Sequence, residues 1–364
     1  MNKKLIALAV AGVISGYGAA ANAAEVSGFA VVDYTITDDG AVENKGTATE
    51  HNTTEGKFGA KGEVDFVSSP VDGVTVRVDV DLNLDPGSTH SGAELEQAMF
   101  AWSATDDVTV LGGVFNNPIG HEAEDKPDMI FNDHGAVYIA LDSQTELDGD
   151  NVAGVAVAGA IGPVTLTGAF LNDLNGAHEE NSLALVANYS PIAGLDLELG
   201  LATQEGNALT TTTAIPGGSN TSVGDVTNFN IVYTGITDLE LGLDYLMGDE
   251  VLDSAYDVWG QYTIGSSGFS VAARMSEIEY NAADVTKVVN GAIAAGGTAQ
   301  DVLDAMDTAG LPMGDAESTA INVTYKVASN LKAALEFAST DVTPVGGGAS
   351  ESFDMTTLKL TATF

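Results

Sequence analysis

The chain has 364 residues, 45% of them apolar, no cysteine, and 52 acidic against 12 basic side chains, a net charge of −40. That balance excludes nucleic-acid binding, which needs a basic patch, and it leaves no disulfides to stabilise an exported chain. The apolar residues run the whole length, so the composition is not that of a disordered acidic tail.

The first elements lie at the amino end. Met1-Asn2-Lys3-Lys4 is a positive n-region, Leu5 to Gly16 an apolar h-region, and Ala21-Asn22-Ala23 a small-x-small cleavage pattern. Residues 1–23 therefore read as a secretory signal peptide, with the mature chain at 24–364. Lys3 and Lys4 leave with the leader, so 10 basic residues face 52 acidic ones and the mature charge is near −42. No later stretch offers about 18 uninterrupted apolar residues, the signature of a membrane-spanning helix.

From there the chain alternates with period two. In EGKFGAKGEVDF, Phe58, Ala60, Val64 and Phe66 share one face, and Lys57, Lys61, Glu63 and Asp65 the other. In VTVRVDVDLNL, Val74, Val76, Val78, Val80, Leu82 and Leu84 alternate with Thr75, Arg77, Asp79, Asp81 and Asn83. LDLELGL, LELGLDYLM and INVTYKV repeat the pattern. So does the final DMTTLKLTATF, with Leu358, Leu360, Ala362 and Phe364 on one face. Sixteen such segments are expected near 25–38, 55–69, 74–85, 92–105, 108–120, 150–162, 164–175, 181–192, 195–205, 227–236, 239–250, 254–265, 269–280, 317–328, 331–342 and 352–364. Their length of ~10–12 residues suits tilted strands crossing a bilayer.

The connections alternate between short turns and, mostly, longer polar loops, as in an up-and-down antiparallel sheet. A sheet with one apolar face must hide its edges and cover that face. A second sheet would do so in a soluble sandwich or β-helix; closure in lipid would do so in a membrane barrel, the one sheet that leaves no backbone group unpaired there. Alternation alone does not choose. The leader, the absence of cysteine, the loop alternation and the strand number together predict a 16-stranded antiparallel transmembrane β-barrel, its last strand pairing with its first.

Five features then carry a resemblance: the Lys-Lys leader ending ANA, the opening strand AEVSGFAVVDY, the segment AELEQAMFAWSA, the following VTVLGGVFNNPIG, and the terminal phenylalanine. Together they resemble the general porins of Gram-negative outer membranes. The resemblance implies short periplasmic turns, long extracellular loops, a homotrimer in the outer membrane with lipid and lipopolysaccharide around it, and a third long loop folded into the barrel. That loop would be 121–149, whose acids Glu122, Glu124, Asp125, Asp128 and Asp133 are expected at the constriction. Phe364, Leu360 and Leu358 match the signal that the barrel-assembly machinery reads in that family, with Ala362 where a larger aromatic is common.

The chain departs from the family's arginine cluster, having only Arg77 and Arg274, with Val114 where an arginine often follows the glycine of strand five. The expected interior cations are Lys57, Lys61, Arg77 and Arg274, with the first three forming a reduced basic ladder or else pairing with acids such as Glu63 and Asp79. The expected interior acids are Glu63, Asp65, Asp79 and Asp81. So few cations predict a cation-preferring pore.

Residues 281–312 break the alternation. Thr298 reads as an N-cap, Val302, Leu303 and Met306 have helical spacing, and Gly310 and Pro312 read as a stop, predicting two short helices in an extracellular insert. The five histidines, His51, His90, His121, His134 and His178, all fall in loops without metal-ligand spacing, so no metal, cofactor or catalytic site is assigned. No serine sits in a nucleophile elbow, which argues against an enzyme. A solute-specific channel, or a plugged barrel serving adhesion or structure, are the alternatives to a general pore.

Overall fold

The computed structural model describes residues 24–39, 54–83, 92–143, 145, 150–172, 174, 181–204, 224–281, 314–344 and 350–364. The leader and the predicted helical insert lie outside the described residues, except for Asn281 at the insert's edge. The strands are β1 (Glu25–Asp39), β2 (Thr54–Val71), β3 (Val74–Asn83), β4 (Gly92–Ser103), β5 (Val108–Asn116), β6 (Asn151–Ile161), β7 (Val164–Leu171), β8 (Ser182–Ile192), β9 (Leu195–Ala202), β10 (Val226–Ile236), β11 (Leu239–Gly248), β12 (Leu252–Thr263), β13 (Phe269–Tyr280), β14 (Gly314–Ala328), β15 (Leu331–Pro344) and β16 (Glu351–Thr363). One short helix, α1 (Ala136–Asp142), lies between β5 and β6.

Each strand pairs antiparallel with its sequence neighbours, and β1 pairs with β16, closing the barrel. Thus all sixteen predicted strands are present. The seam runs from Phe29 opposite Thr363 to Asp39 opposite Phe353. Beyond it, Phe364 N–H donates to the Gly28 carbonyl and Gly28 N–H to the Phe364 carbonyl. Closure leaves no edge strand unpaired.

The period-two pattern sorts the faces. Phe58, Leu95, Ile161, Leu358 and Leu360 are exposed, and so is Phe364 at 67%. On the opposite face Thr357, Lys359 and Thr361 are buried. An outward apolar surface over a polar interior inverts the arrangement of a water-soluble protein and is what hydrocarbon solvent selects. Among the described residues, no helix is long and apolar enough to cross a membrane; the strands carry the apolar surface.

Two strand ends depart from the alternation. The expected fifth segment ran to 120, but β5 stops at Asn116. Asn117 turns the chain: its side-chain oxygen accepts the Ile119 N–H at 3.2 Å and its amide donates to Asp150 at 3.0 Å. Pro118 then has no N–H to continue the ladder. The chain leaves the wall here and crosses the barrel interior. The expected seventh segment, to 175, likewise ends early, at Leu171.

Candidate constriction site

The loop after β5 is fastened to the far wall by its own backbone. His121 N–H donates to Asp244 of β11 at 2.9 Å. Ala136 and Val137 N–H groups both donate to the Asp257 carboxylate of β12 at 3.0 Å, and Asn132 N–H donates to Glu336 of β15 at 2.6 Å. In the other direction, Arg274 of β13 donates to the Asp133 and His134 carbonyls at 2.9 and 3.1 Å, and Lys332 to the Pro127 carbonyl at 2.7 Å. β5 and β11–β15 are far apart around the barrel, so these contacts exist because the loop folds inward.

Local chemistry explains the fit. Gly135 precedes α1 and has no side chain to cap it. Asp257 supplies the missing acceptor from across the barrel. A Cβ at Gly135 would lie 2.3 Å from that carboxylate, so glycine is required by the close approach. Ile119 packs on Gly200, and His121 stacks on Trp259 at 5.0 Å. Trp259 in turn lies across Gly242, where a Cβ would overlap its indole.

The predicted acids do not form one row. Glu122 is turned into the attachment, 3.1 Å from Arg274 and accepting the Gly135 N–H at 2.6 Å. Burial pushes its carboxyl up to about 7 against the pull of Arg274. Glu124 is held by Asn116 at 2.6 Å and Asn151 at 3.2 Å. Burial, then the neighbouring Glu96, raise its carboxyl well above the usual range. Asp125 borders the space between the loop and β2–β4, while Asp128 borders a separate space against Trp259 and Arg274. Asp133 accepts from the Asn132 amide at 3.3 Å.

The wall facing that loop is acidic too. Lys61, Glu63, Asp81, Glu94, Glu96, Glu124, Asp125 and Lys126 border a space of about 890 Å³ open to solvent. Lys126 reaches back to the Asn132 carbonyl at 2.9 Å, and burial followed by the nearby Lys61 holds its ammonium below the usual lysine range.

The expected basic residues differ in their surroundings. Lys57 and Lys61 are exposed, but Arg77 lies in a nest of Asp79, Asp65 and Glu63, 3.1 Å from Asp65 and 3.9 Å from Glu63. Its charge is taken up there, because a buried guanidinium needs carboxylate partners. For Arg77 the ion-pair alternative is the one realised. Arg274 also does not stand free: it is buried under the loop, 4.6 Å above the Phe131 ring.

Sequence reasoning missed Asp244, Asp257 and Glu336 as loop anchors, and Glu96 altogether. Alternation put Asp244 on a polar face, but the partner lies more than a hundred residues away and only closure brings the two together.

No protein-family model matches the chain, and no curated protein matches it. Solved structures do resemble it. OprB of Pseudomonas putida superposes with a TM-score of 0.66 at 13% identity, covering 94% of both chains. The outer membrane channel DcaP of Acinetobacter baumannii gives 0.60 at 12% identity over 95% of this chain and 99% of that one. A variant of the Rhodobacter blastica porin gives 0.52 at 16% identity over 94% and 100%. The fold is thus that of outer-membrane porins and channels.

Proposed function

We propose that this protein is an outer-membrane porin: a water-filled pore for passive diffusion of ions and small hydrophilic solutes, preferring cations, and not an enzyme. The observation that carries the reading is the inward loop, which narrows a closed barrel while carboxylates border the gap from both sides. Negative potential in a narrow aqueous passage favours cations. The two arginines do not oppose it, being committed to Asp79 and to the loop attachment. The outward apolar belt supports a lipid environment, with lipopolysaccharide on one side. The pore assembles as a homotrimer, and Phe364, Leu360 and Leu358 serve recognition by the barrel-assembly machinery.

Single-channel recording in a planar bilayer under a KCl gradient tests this. Stepwise currents in threes, with a reversal potential on the cation side, are expected. Anion preference would keep the pore but transfer control to Lys57 and Lys61. A folded barrel that passes no current would overturn the reading in favour of a plugged barrel for adhesion or structure.

A further inference from the structure

The interior cations divide by type. Both arginines are committed, Arg77 to Asp65 and Asp79, and Arg274 to Glu122 and two loop carbonyls. Three interior lysines are not. Lys61 of β2 and Lys359 of β16 make no hydrogen bond or ion pair among the described residues. Lys126 of the loop makes one hydrogen bond, to the Asn132 carbonyl, and no ion pair among those residues. With 52 acidic side chains against 12 basic ones, a paired lysine is the default.

Lys359 is the clearest of the three. It is 6% exposed and shares the inward face with Thr357 and Thr361. Asp33 stands directly opposite it across the β1–β16 seam. The Asp33 carboxylate leans the other way, over Gly59 of β2, where a Cβ would lie 2.7 Å from it. Glu336 accepts from Asn132 and Asn322, and Asp133 from the Asn132 amide. A buried ammonium with no acceptor is costly. Lys126 is near enough to act on the Lys359 charge, and Lys61 near enough to act on that of Lys126. Strands β2 and β16 flank β1, so the loop and two wall strands gather three ammonium groups around one stretch of β1.

The wall beyond is acidic. Lys61 and Lys126 border the space of about 890 Å³ together with Asp81, Glu94 and Asp125. Asp81 and Glu94 face each other on β3 and β4. One space therefore has ammonium groups at one side and carboxylates at the other, with β2 and β4 about 10 Å apart.

We infer that Lys61, Lys126 and Lys359 form a station for the carboxylate of a small zwitterionic solute, an amino acid or a homologue, whose own ammonium group faces Asp81 and Glu94. A simple anion is repelled by so acidic an interior. A zwitterion is net neutral, so it enters without that penalty and matches both sides of the space. Lysine suits the role, since its three donors on a flexible stem can turn to a carboxylate arriving from solvent. The inference names a solute class for the proposed pore and rests on that reading for the route in; binding at the station needs no current.

The test titrates the folded full-length protein in detergent with 4-aminobutyrate, using butyrate and butylammonium as singly charged comparators. Saturation-transfer NMR reads binding, and planar-bilayer recording of the same preparation reads conduction. Saturable binding of 4-aminobutyrate, tighter than of either comparator, is expected, with a saturable fall in K⁺ current. Lys359→Gln and Lys126→Gln are each expected to weaken that binding roughly tenfold, as loss of a charged hydrogen bond does, and to leave butylammonium binding unchanged. Lys126→Gln keeps an amide that can donate to Asn132, so the loop stays attached. Lys359→Gln removes an ammonium that has no ion-pair partner among the described residues, so the barrel is expected to fold. No saturable binding, butyrate binding as tightly as 4-aminobutyrate, or native affinity in both variants would overturn the inference. Lysine-dependent binding to a barrel that passes no current would uphold the station and overturn the pore reading.

Discussion

Asp257 does at one residue what a whole capping segment does elsewhere. Its two oxygens accept the Ala136 and Val137 N–H groups, and α1 is anchored to the wall by them. Removing the carboxylate orphans two buried donors, at about 1–3 kcal/mol each. Asp257→Ala should therefore detach the helix, raising mean single-channel conductance and open-state noise. Asp257→Asn, which keeps one acceptor, should fall between. Unchanged conductance in Asp257→Ala would show that the other contacts hold the loop alone. Glu122 adds a pH dependence. Its buried carboxyl keeps a proton up to about pH 7, whereas in the unfolded chain it would release it near 4.5. The folded state thus binds more protons across that window, so the attachment weakens as pH rises through it. The same ionisation adds negative charge beside the passage. Cation preference, read from reversal potentials, should increase between about pH 5 and 8, and Glu122→Gln should remove the component centred near 7.

At the scale of elements, the β1–β16 seam is where closure is decided. A Cβ on Gly28 would stand 2.1 Å from the Glu63 carbonyl and 2.9 Å from the Phe364 ring. Gly28→Val should therefore spread the strands near the seam, with an overpacking cost of about 1–3 kcal/mol. The measurement is the temperature at which the barrel loses its compact electrophoretic form, expected to fall; an unchanged temperature would mean that the ring of Phe364 swings aside freely. The strands themselves were legible because each needs only local alternation, as in Val74 to Leu82. The end of β5 was less so. The expected segment ran on through Asn117 to 120, and it is the Asn117–Asp150 contact, across the base of the loop, that turns the chain. A bulge at Glu96 of β4, between the Asp79–Gln97 and Val80–Leu95 pairs, was also hidden, since one extra residue in a twelve-residue strand reads as noise in a period-two pattern.

For the whole molecule the excess of acid is the dominant quantity. A net charge of −40 creates a field around and within the barrel, and salt confines it to about 8 Å at 0.15 M and about 3 Å at 1 M. Cation preference should decline steeply between those concentrations if the diffuse field sets it. If it persists at 1 M, the carboxylates that touch the permeating ion control selectivity, and Asp125, which borders the open space, becomes the residue to neutralise first.

Periodicity in the sequence was enough to determine the number of strands and their two faces, and with the leader, the absence of cysteine and the alternation of loop lengths it determined the closure of the sheet. Those properties depend on side-chain polarity at spacings of two, and lipid outside with polar side chains inside leaves one consistent arrangement. The tertiary structure alone decided which interior charges meet. Arg77 might have belonged to a free basic ladder or to an ion-pair nest, and the register of β2 against β3 put it beside Asp65 and Asp79. Asp244, Asp257 and Glu336 became anchors, not free interior acids, because the loop crosses to them. Pairings between residues so distant in the chain follow from the radius and register of the closed barrel, which no local pattern encodes.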